Sequence, residues 1–358
     1  MLRNFLRKVA EFEYRFRYLL LVVFLCSAVF SLFYIPKIRF QTDIQKELPQ
    51  DLDSVRYQKL ISDVFGTSEA VFILFKMNTS GDIRNPSVLS GIQEISDKLL
   101  LEPDVLGVVS PTRALGLFPY VPQNPVFLRT LLNNSFFSRG YDAALMIVYS
   151  DIGSGEREIT YFVSKIRDMV DNSDLPKSVN VVITGNAPIR ALLMNILEQD
   201  MITTMAAAGI LILLLLIAIQ KSFVRGLLAF VPPLFGLSWT FGIIGFLDFP
   251  LSVGMAGLGA MILGLGTEYG IFFVERYLEA RKNHSPRKAL VDALPSVGVG
   301  IIGSSTTTVV GFLALLLSTI GMIQRLGITL ALSIACTMLS TIFVAPVFAV
   351  VFDRWLHD

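Results

Sequence analysis

Six stretches of this chain stay apolar over a length that can cross a bilayer, which takes about 20 residues of helix. The first is Leu19 to Ile35, LLLVVFLCSAVFSLFYI. The other five crowd the second half: Met201 to Ile219, Gly226 to Leu247, Leu251 to Val274, Val297 to Ile320 and Leu326 to Phe352. Between the first and second lie roughly 160 residues of mixed polarity without a spanning stretch. The pattern predicts one helix, a large polar domain, then five helices.

The polar stretch has its own rhythm. Ala70–Lys76 (AVFILFK), Asp104–Val109, Ala143–Tyr149 and Val179–Thr184 read as strands. Pro86–Leu101, with proline in its first turn, and Glu156–Val170 read as helices. Two strand-helix-strand units in series predict an α+β ferredoxin-like (split βαβ) domain. A short helix over Ser54–Phe65 leads into it, and Asn186–Asp200 reads as a helix running into the second span. The expected division is 1–37 (cytoplasmic N-terminus and first span), 38–199 (soluble domain) and 200–358 (the second to sixth spans).

Composition agrees with the pattern. With 53% hydrophobic residues, 16% charged and a mean hydropathy of +0.62, the 358-residue chain falls outside the soluble globular range. A polytopic α-helical membrane protein with six transmembrane helices is the fold class this implies. The net charge of +1 says little, but its distribution sets orientation. Arg3, Arg7, Lys8, Arg15 and Arg17 precede the first span, which is long for a signal sequence and lacks a small-x-small cleavage site, so it reads as an uncleaved anchor. A cytoplasmic N-terminus puts Lys221, Arg225, Arg276, Arg281, Lys282, Arg287, Lys288 and Arg354 on the same side, whereas the opposite short loops hold only Arg325. Both termini are thus expected in the cytoplasm and the large domain outside it. Cys26 and Cys336 lie in apolar runs, and the two histidines, His284 and His357, make a metal site unexpected.

One residue in the fourth span breaks its apolar character: Glu268, in GLGAMILGLGTEYGIFFVERY. A charged side chain at bilayer depth costs at least about 2.5–3.5 kcal/mol on insertion scales, so such groups face a protein interior or a wet cavity and do work there. Helical spacing puts Gly257, Met261, Gly264 and Glu268 on one stripe with Gly270 nearby, and small residues there admit another helix. Proton carriage by Glu268 is the functional reading; a neutral carboxyl hydrogen-bonded for packing is the alternative. The next span supplies Ser304, Ser305, Thr306, Thr307 and Thr308, with Gly311 one turn on. These hydroxyls either reach Glu268 or a water path, or bond back to their own helix.

Other features carry less. The aromatic residues Phe118, Tyr120, Phe127, Phe136 and Phe137 of the Ser110–Arg139 insertion either close the soluble core, the favoured reading, or form an apolar flap. GVGIIG at Gly298–Gly303 has dinucleotide-loop spacing but sits at the start of a span, where it means close helix packing.

The run GLGTEYGIFFVERYLEARK, then SPRKALVDA, SSTTTVVGFLALLLS and GMIQRLGITLALSIACTMLSTIFVAPVF, resembles the RND superfamily of transporters, in its MMPL or hydrophobe-exporter branch. TDIQKELPQDLD and KSFVRGLLAFVPPLFGLSWTFGIIGFLDFPLS fit the same order of motifs. The resemblance implies that the soluble domain is an extracytoplasmic porter-type domain. It also implies that the proton-relay pair of the fourth span, an Asp-Tyr in the family, falls on Glu268 and Tyr269, with Thr306–Thr308 as candidate relay hydroxyls. Family members commonly carry two six-helix halves and this chain carries one, so a homodimer is expected, with Glu268 of one protomer near Tyr269 of the other. The implied function is proton-driven export or transfer of lipid-like molecules from the cytoplasmic (inner) membrane. The chain is not expected to be an enzyme, to hold a cofactor or to bind nucleic acid. Protons are the expected coupling ion, sodium the alternative, and an extracytoplasmic carrier protein is a possible partner. The competing readings are a SecD/SecF-like protein-translocation accessory and a sterol-sensing-type lipid receptor without transport.

Overall fold

A computed structural model describes residues 1–43, 47–57, 60, 69–78, 81–113, 136–152 and 155–356. The elements in chain order are α1 (Leu2–Leu32), β1 (Phe40–Gln41), β2 (Glu69–Met77), α2 (Pro86–Leu100), β3 (Val105–Val109), β4 (Ala143–Ser150), α3 (Glu156–Asp171), β5 (Val179–Gly185), α4 (Asn186–Gln220), α5 (Phe223–Phe246), β6 (Leu251–Ser252), α6 (Leu258–Arg281), α7 (Pro286–Leu313) and α8 (Gly321–Val351). They form two units, Gln50–Asn195 and Met1–Pro49 with Ile196–Asp358.

In the first unit, a strand-helix-strand pair occurs twice, and the four strands make one antiparallel sheet in the order β3-β4-β2-β5. The strands' period of two explains the core. Val71, Ile73 and Phe75 of β2, and Met146 and Val148 of β4, turn to one face and pack with Ile92, Ile95 and Leu99 of α2 and Ile159, Phe162 and Ile166 of α3. Register places Ile73 opposite Met146 on one side and Ile183 on the other. The start of α2 is set locally: Asn85 Oδ1 accepts the Ser87 backbone N–H at 3.2 Å, and Pro86 occupies the first turn. Gly185 closes β5 at φ +124°, where a Cβ would stand 2.5 Å from the Ala70 carbonyl oxygen. Arg190, 4% exposed, pairs with Glu156 at 2.9 Å and fixes the first turns of α4 to α3. Phe137 packs against this core, and the backbone carbonyl of Phe136 accepts the Leu145 N–H at 2.8 Å. Phe118, Tyr120 and Phe127 of the insertion, most of the expected Ser54–Phe65 helix beyond residue 57, and His357 lie outside the described residues.

The second unit holds six helices long and apolar enough to cross a membrane: α1, α4, α5, α6, α7 and α8. Three of them form its centre, α5, α6 and α8, and glycines decide how close they come. Cβ atoms at Gly236 of α5 and Gly266 of α6 would stand 2.1 and 2.6 Å from side-chain atoms of Thr337 on α8. One at Gly270 would be 2.0 Å from the Ala229 carbonyl oxygen of α5. Without a hydrophobic drive between helices in lipid, such backbone approach is what packs them. α1 docks on α5 the same way: Gly242 faces Ser31, Gly245 faces the Tyr34 carbonyl, and Trp239 Nε1 donates to Ser27 Oγ at 3.1 Å. GVGIIG contributes one such contact, Gly298 against Leu6, while Gly300 and Gly303 meet nothing within 4 Å.

Three boundaries differ from the sequence expectation. α1 begins at Leu2 rather than Leu19, because about five amphipathic turns precede the apolar run; Phe16, at φ −108° and ψ 19°, breaks its regularity. The fourth span begins at Leu258 rather than Leu251, since Leu251–Ser252 pairs in parallel with Phe40–Gln41 and Val253–Met255 is a 3-10 turn. For the same reason residues 38–49 belong to the helical unit and not to a soluble domain starting at 38. Arg39 pairs with Asp248 at 2.9 Å, and Glu47 Oε1 accepts Ser252 Oγ at 2.7 Å and Arg325 at 2.8 Å.

At the opposite end of α6, Asp353 accepts bonds from Tyr277 (2.7 Å) and Arg281 (2.8 and 2.9 Å), and Arg225 donates to the Leu356 carbonyl. Two outcomes test these contacts. Gly270→Ala lowers the thermal midpoint of the monomer in detergent by an amount equivalent to about 1–3 kcal/mol of overpacking, whereas Gly264→Ala, with open space at its Cβ within the chain, leaves the monomer's midpoint unchanged. Arg325→Met, which strands the buried Glu47, destabilises by up to about 3–5 kcal/mol, and adding Glu47→Leu recovers much of the loss; both are read by thermal unfolding.

Candidate functional site

α6 has two faces, and the site divides between them. Ile262, Gly266, Tyr269, Gly270, Phe273 and Tyr277 turn inward; Met261, Leu265, Glu268 and Phe272 turn out. Glu268 lies about 15 Å along the helix from Leu258 and about 20 Å from Arg281, at 1.5 Å per residue, so it sits mid-span. It is exposed, and among the described residues it has no hydrogen-bond or ion-pair partner. Adjacent residues on a helix are about 100° apart. That rotation sends Tyr269 the other way, to 1% exposure among Ile301, Ile334 and Met338.

Tyr269 lies beside the hydroxyl run of α7. Its phenol is near Ser304 and Thr308 and near the charge of Glu268. The run itself bonds to its own helix: Thr306 Oγ1 to the Ile302 carbonyl at 2.6 Å, and Thr307 and Thr308 to the Ser304 carbonyl at 2.7 and 3.0 Å. Ser304 and Ser305 do the same, to Ile301 and Ile302. The structure sets Thr308 and Ser304 near Tyr269 and leaves Thr306 and Thr307 exposed and satisfied within α7. No member of the run hydrogen-bonds Glu268 among the described residues. The signal for Ser304 was available in the four-residue spacing from Ser304 to Thr308, which puts both on the turn facing Tyr269.

Of the glycines expected to pack helices, Gly270 does so within the chain. Gly257, Gly264 and Gly311 meet nothing within 4 Å of an added Cβ. The Glu268 stripe is thus not covered by any described part of this chain, and α7 carries a second open stripe, Gly300, Gly303, Thr307 and Gly311, at three- and four-residue spacing. The expected contact between Glu268 and the Tyr269 of another chain meets a physical obstacle: Tyr269 is closed off by α7 and α8. The described residues contain no cluster of three or more His, Cys, Asp or Glu side chains that could hold a metal ion.

A relative named as a membrane protein in Methanocaldococcus jannaschii is 31% identical over 99% of this chain and 95% of its own length. The sulfolipid-1 exporter MmpL8 of Mycobacterium tuberculosis is 25% identical over 57% of this chain. MmpL9 of the same organism, named as a transport protein, is 28% identical over 60%. This chain spans 19% and 23% of the lengths of those two mycobacterial relatives. Residues 46–358 match the MMPL family, a match that covers the Gln50–Asn195 unit and five of the six apolar helices, and the chain belongs to that family.

Proposed function

We propose that this protein moves lipid-like or other hydrophobic molecules from the cytoplasmic membrane, driven by protons passing through Glu268 and Tyr269. The observation that carries the reading is the mid-span Glu268 next to a phenol buried among α6, α7 and α8, close to Ser304 and Thr308. A carboxyl in a low-dielectric place changes its protonation with its access to water and its neighbours. Protonation would remove the charge that keeps the open face of α6 hydrated, and so bias the helices between two packings. Tyr269, wedged among α6, α7 and α8, is placed to feel that change and pass it into the bundle. Sodium is the alternative coupling ion.

In this reading the Gln50–Asn195 unit is an extracytoplasmic porter-type domain of the split βαβ class. Both termini are cytoplasmic in this reading, which the distribution of basic residues supports. The lipid class of the cargo is supported by the sulfolipid-1 exporter among the relatives. An extracytoplasmic carrier that receives the cargo fits the same scheme. A second copy of this chain covers the open stripes of α6 and α7, bringing the two Glu268 carboxyls to a common axis rather than pairing Glu268 with the buried Tyr269 of the partner.

Reconstitution into liposomes with a pH gradient tests the relay. Wild type moves a fluorescent phospholipid in the direction the gradient sets, and Glu268→Gln, which keeps the shape and removes the titration, falls to the protein-free background; equal gradient-driven movement in both overturns the relay. For the second copy, Gly264→Cys in a background lacking Cys26 and Cys336 forms a disulfide-linked dimer in membranes. A control at the exposed Leu214 does not, and equal yields at the two positions would sink the proposed interface.

A further inference from the structure

The first half of α1 presents a face that the transport reading does not use. Leu6, Ala10 and Glu13 turn inward at helical spacing and are buried. About 100° round the helix, Phe5, Phe12 and Phe16 form a second stripe, and all three are exposed. Lys8 and Arg15, both exposed, flank that stripe. The Phe12 and Phe16 rings lie 4.9 Å apart, and the Arg15 guanidinium stands 5.5 Å from the centre of the Phe16 ring. Among the described residues neither Lys8 nor Arg15 has an ion pair or a hydrogen bond. Glu11, the one exposed acid of the segment, is close to both in the chain yet pairs with neither.

Depth decides what this face meets. Leu6 packs on Gly298, where a Cβ would stand 2.9 Å from its Cδ1, and Gly298 is at the start of the fifth apolar stretch. The segment therefore runs beside apolar helix and not beyond it. Phe12, Leu20 and Phe24 of α1 also line a cavity of about 240 Å³ with Phe343 of α8. Lys8 is the one cation on that lining, and the Glu13 carboxyl oxygens are buried. From Lys8 to Phe24 the lining runs about 24 Å along the helix, at 1.5 Å per residue. It starts at a charge and ends in the apolar run of the first span, as a lipid does from headgroup to chain.

Chemistry narrows the occupant. A cation at leaflet depth is costly without a partner, and Lys and Arg side chains there extend toward headgroup oxygens. A cationic amphiphile would be repelled by Lys8. A neutral chain would fill the cavity and leave Lys8 and Arg15 unanswered. A second copy related by a twofold axis would set these basic residues against their own kind. A lipid with a net negative headgroup fits each feature: phosphate oxygens accept from Lys8 and Arg15, and the apolar walls take the chain.

We infer that the first half of α1 and the α1–α8 cavity bind a membrane lipid with an anionic headgroup, held by Lys8 and Arg15 in the leaflet on the side of the N-terminus. The site is separate from Glu268 and does not rest on the transport reading. A resident lipid there would brace α1 against α8 across the irregular turn at Phe16.

Trp239 reports on the cavity, since its ring centroid is 6.4 Å from that of Phe24. The full chain carrying Trp355→Phe is reconstituted, without a pH gradient, in phosphatidylcholine vesicles holding either brominated phosphatidylglycerol or brominated phosphatidylcholine of the same chains. The brominated phosphatidylglycerol quenches Trp239 at a lower mole fraction, and added salt narrows the difference. Lys8→Gln with Arg15→Gln lowers the preference roughly tenfold, as loss of two basic side chains near a charged headgroup implies. Lys8→Arg with Arg15→Lys keeps it, and so does an equal charge loss elsewhere, Lys282→Gln with Arg287→Gln. No preference in the parent chain, a preference kept by the Lys8 and Arg15 glutamine pair, or one lost equally in the Lys282 and Arg287 pair overturns the site. Dissociation of a dimer by the Lys8 and Arg15 pair, with the lipid preference unchanged, makes the face a chain–chain contact and overturns it too.

Discussion

Thr337 can sit between α5 and α6 only because Gly236 and Gly266 carry no side chain. That close approach sets the rest of the helical unit. It brings α5, α6 and α8 together as a buried centre and turns Tyr269, Phe273 and Tyr277 of α6 inward. It also leaves the far side of α6 without a neighbour. Lipid does not squeeze helices together as water does, so shape at these few glycines carries the packing that apolar burial carries in the Gln50–Asn195 unit. The two units therefore obey different physics: one buries alternating strand residues under two helices, the other fits backbone to backbone.

Three carboxyls in the helical unit show how much surroundings matter. Glu47 is buried and satisfied on one oxygen by Ser252 and Arg325, which ties the segment after α1 to the start of α8. Glu268 is uncovered in mid-span, with a buried phenol as its neighbour. Glu13 is buried and alone beside a cavity. The first is a structural strut, the second is the group on which the proposed reading rests, and the third has neither water nor a partner. Most hydroxyls of the spans, by contrast, are answered by their own helices, as with Thr267, Thr306, Thr329 and Thr341. A hydroxyl can back-bond to a carbonyl one turn away, whereas a carboxylate has no backbone N–H free within its helix. Acids therefore mark the places where something from outside the helix is needed.

The amino-acid sequence by itself determined the six apolar helices, the strand and helix positions of the soluble unit, and Glu268 as the misfit in the fourth span. Each is a local signal: apolar length, a period of two or 3.6, or one charge among apolar neighbours. It could not give residues 38–49 their place, because the pairing of Phe40–Gln41 with Leu251–Ser252 joins segments some 210 positions apart. Nor could it rank the glycines: Gly264 and Gly270 lie on the same helix, yet a Cβ meets nothing at one and a backbone oxygen at the other. Tyr269 followed Glu268 in the sequence, but only the packing of α7 and α8 made it a buried phenol. Glu13 passed as one more charge in a basic, amphipathic start; only the fold removed its water and gave it no partner. Local pattern fixes what each segment is, whereas burial and pairing depend on which segments meet, and that is decided by contacts between residues far apart in the chain.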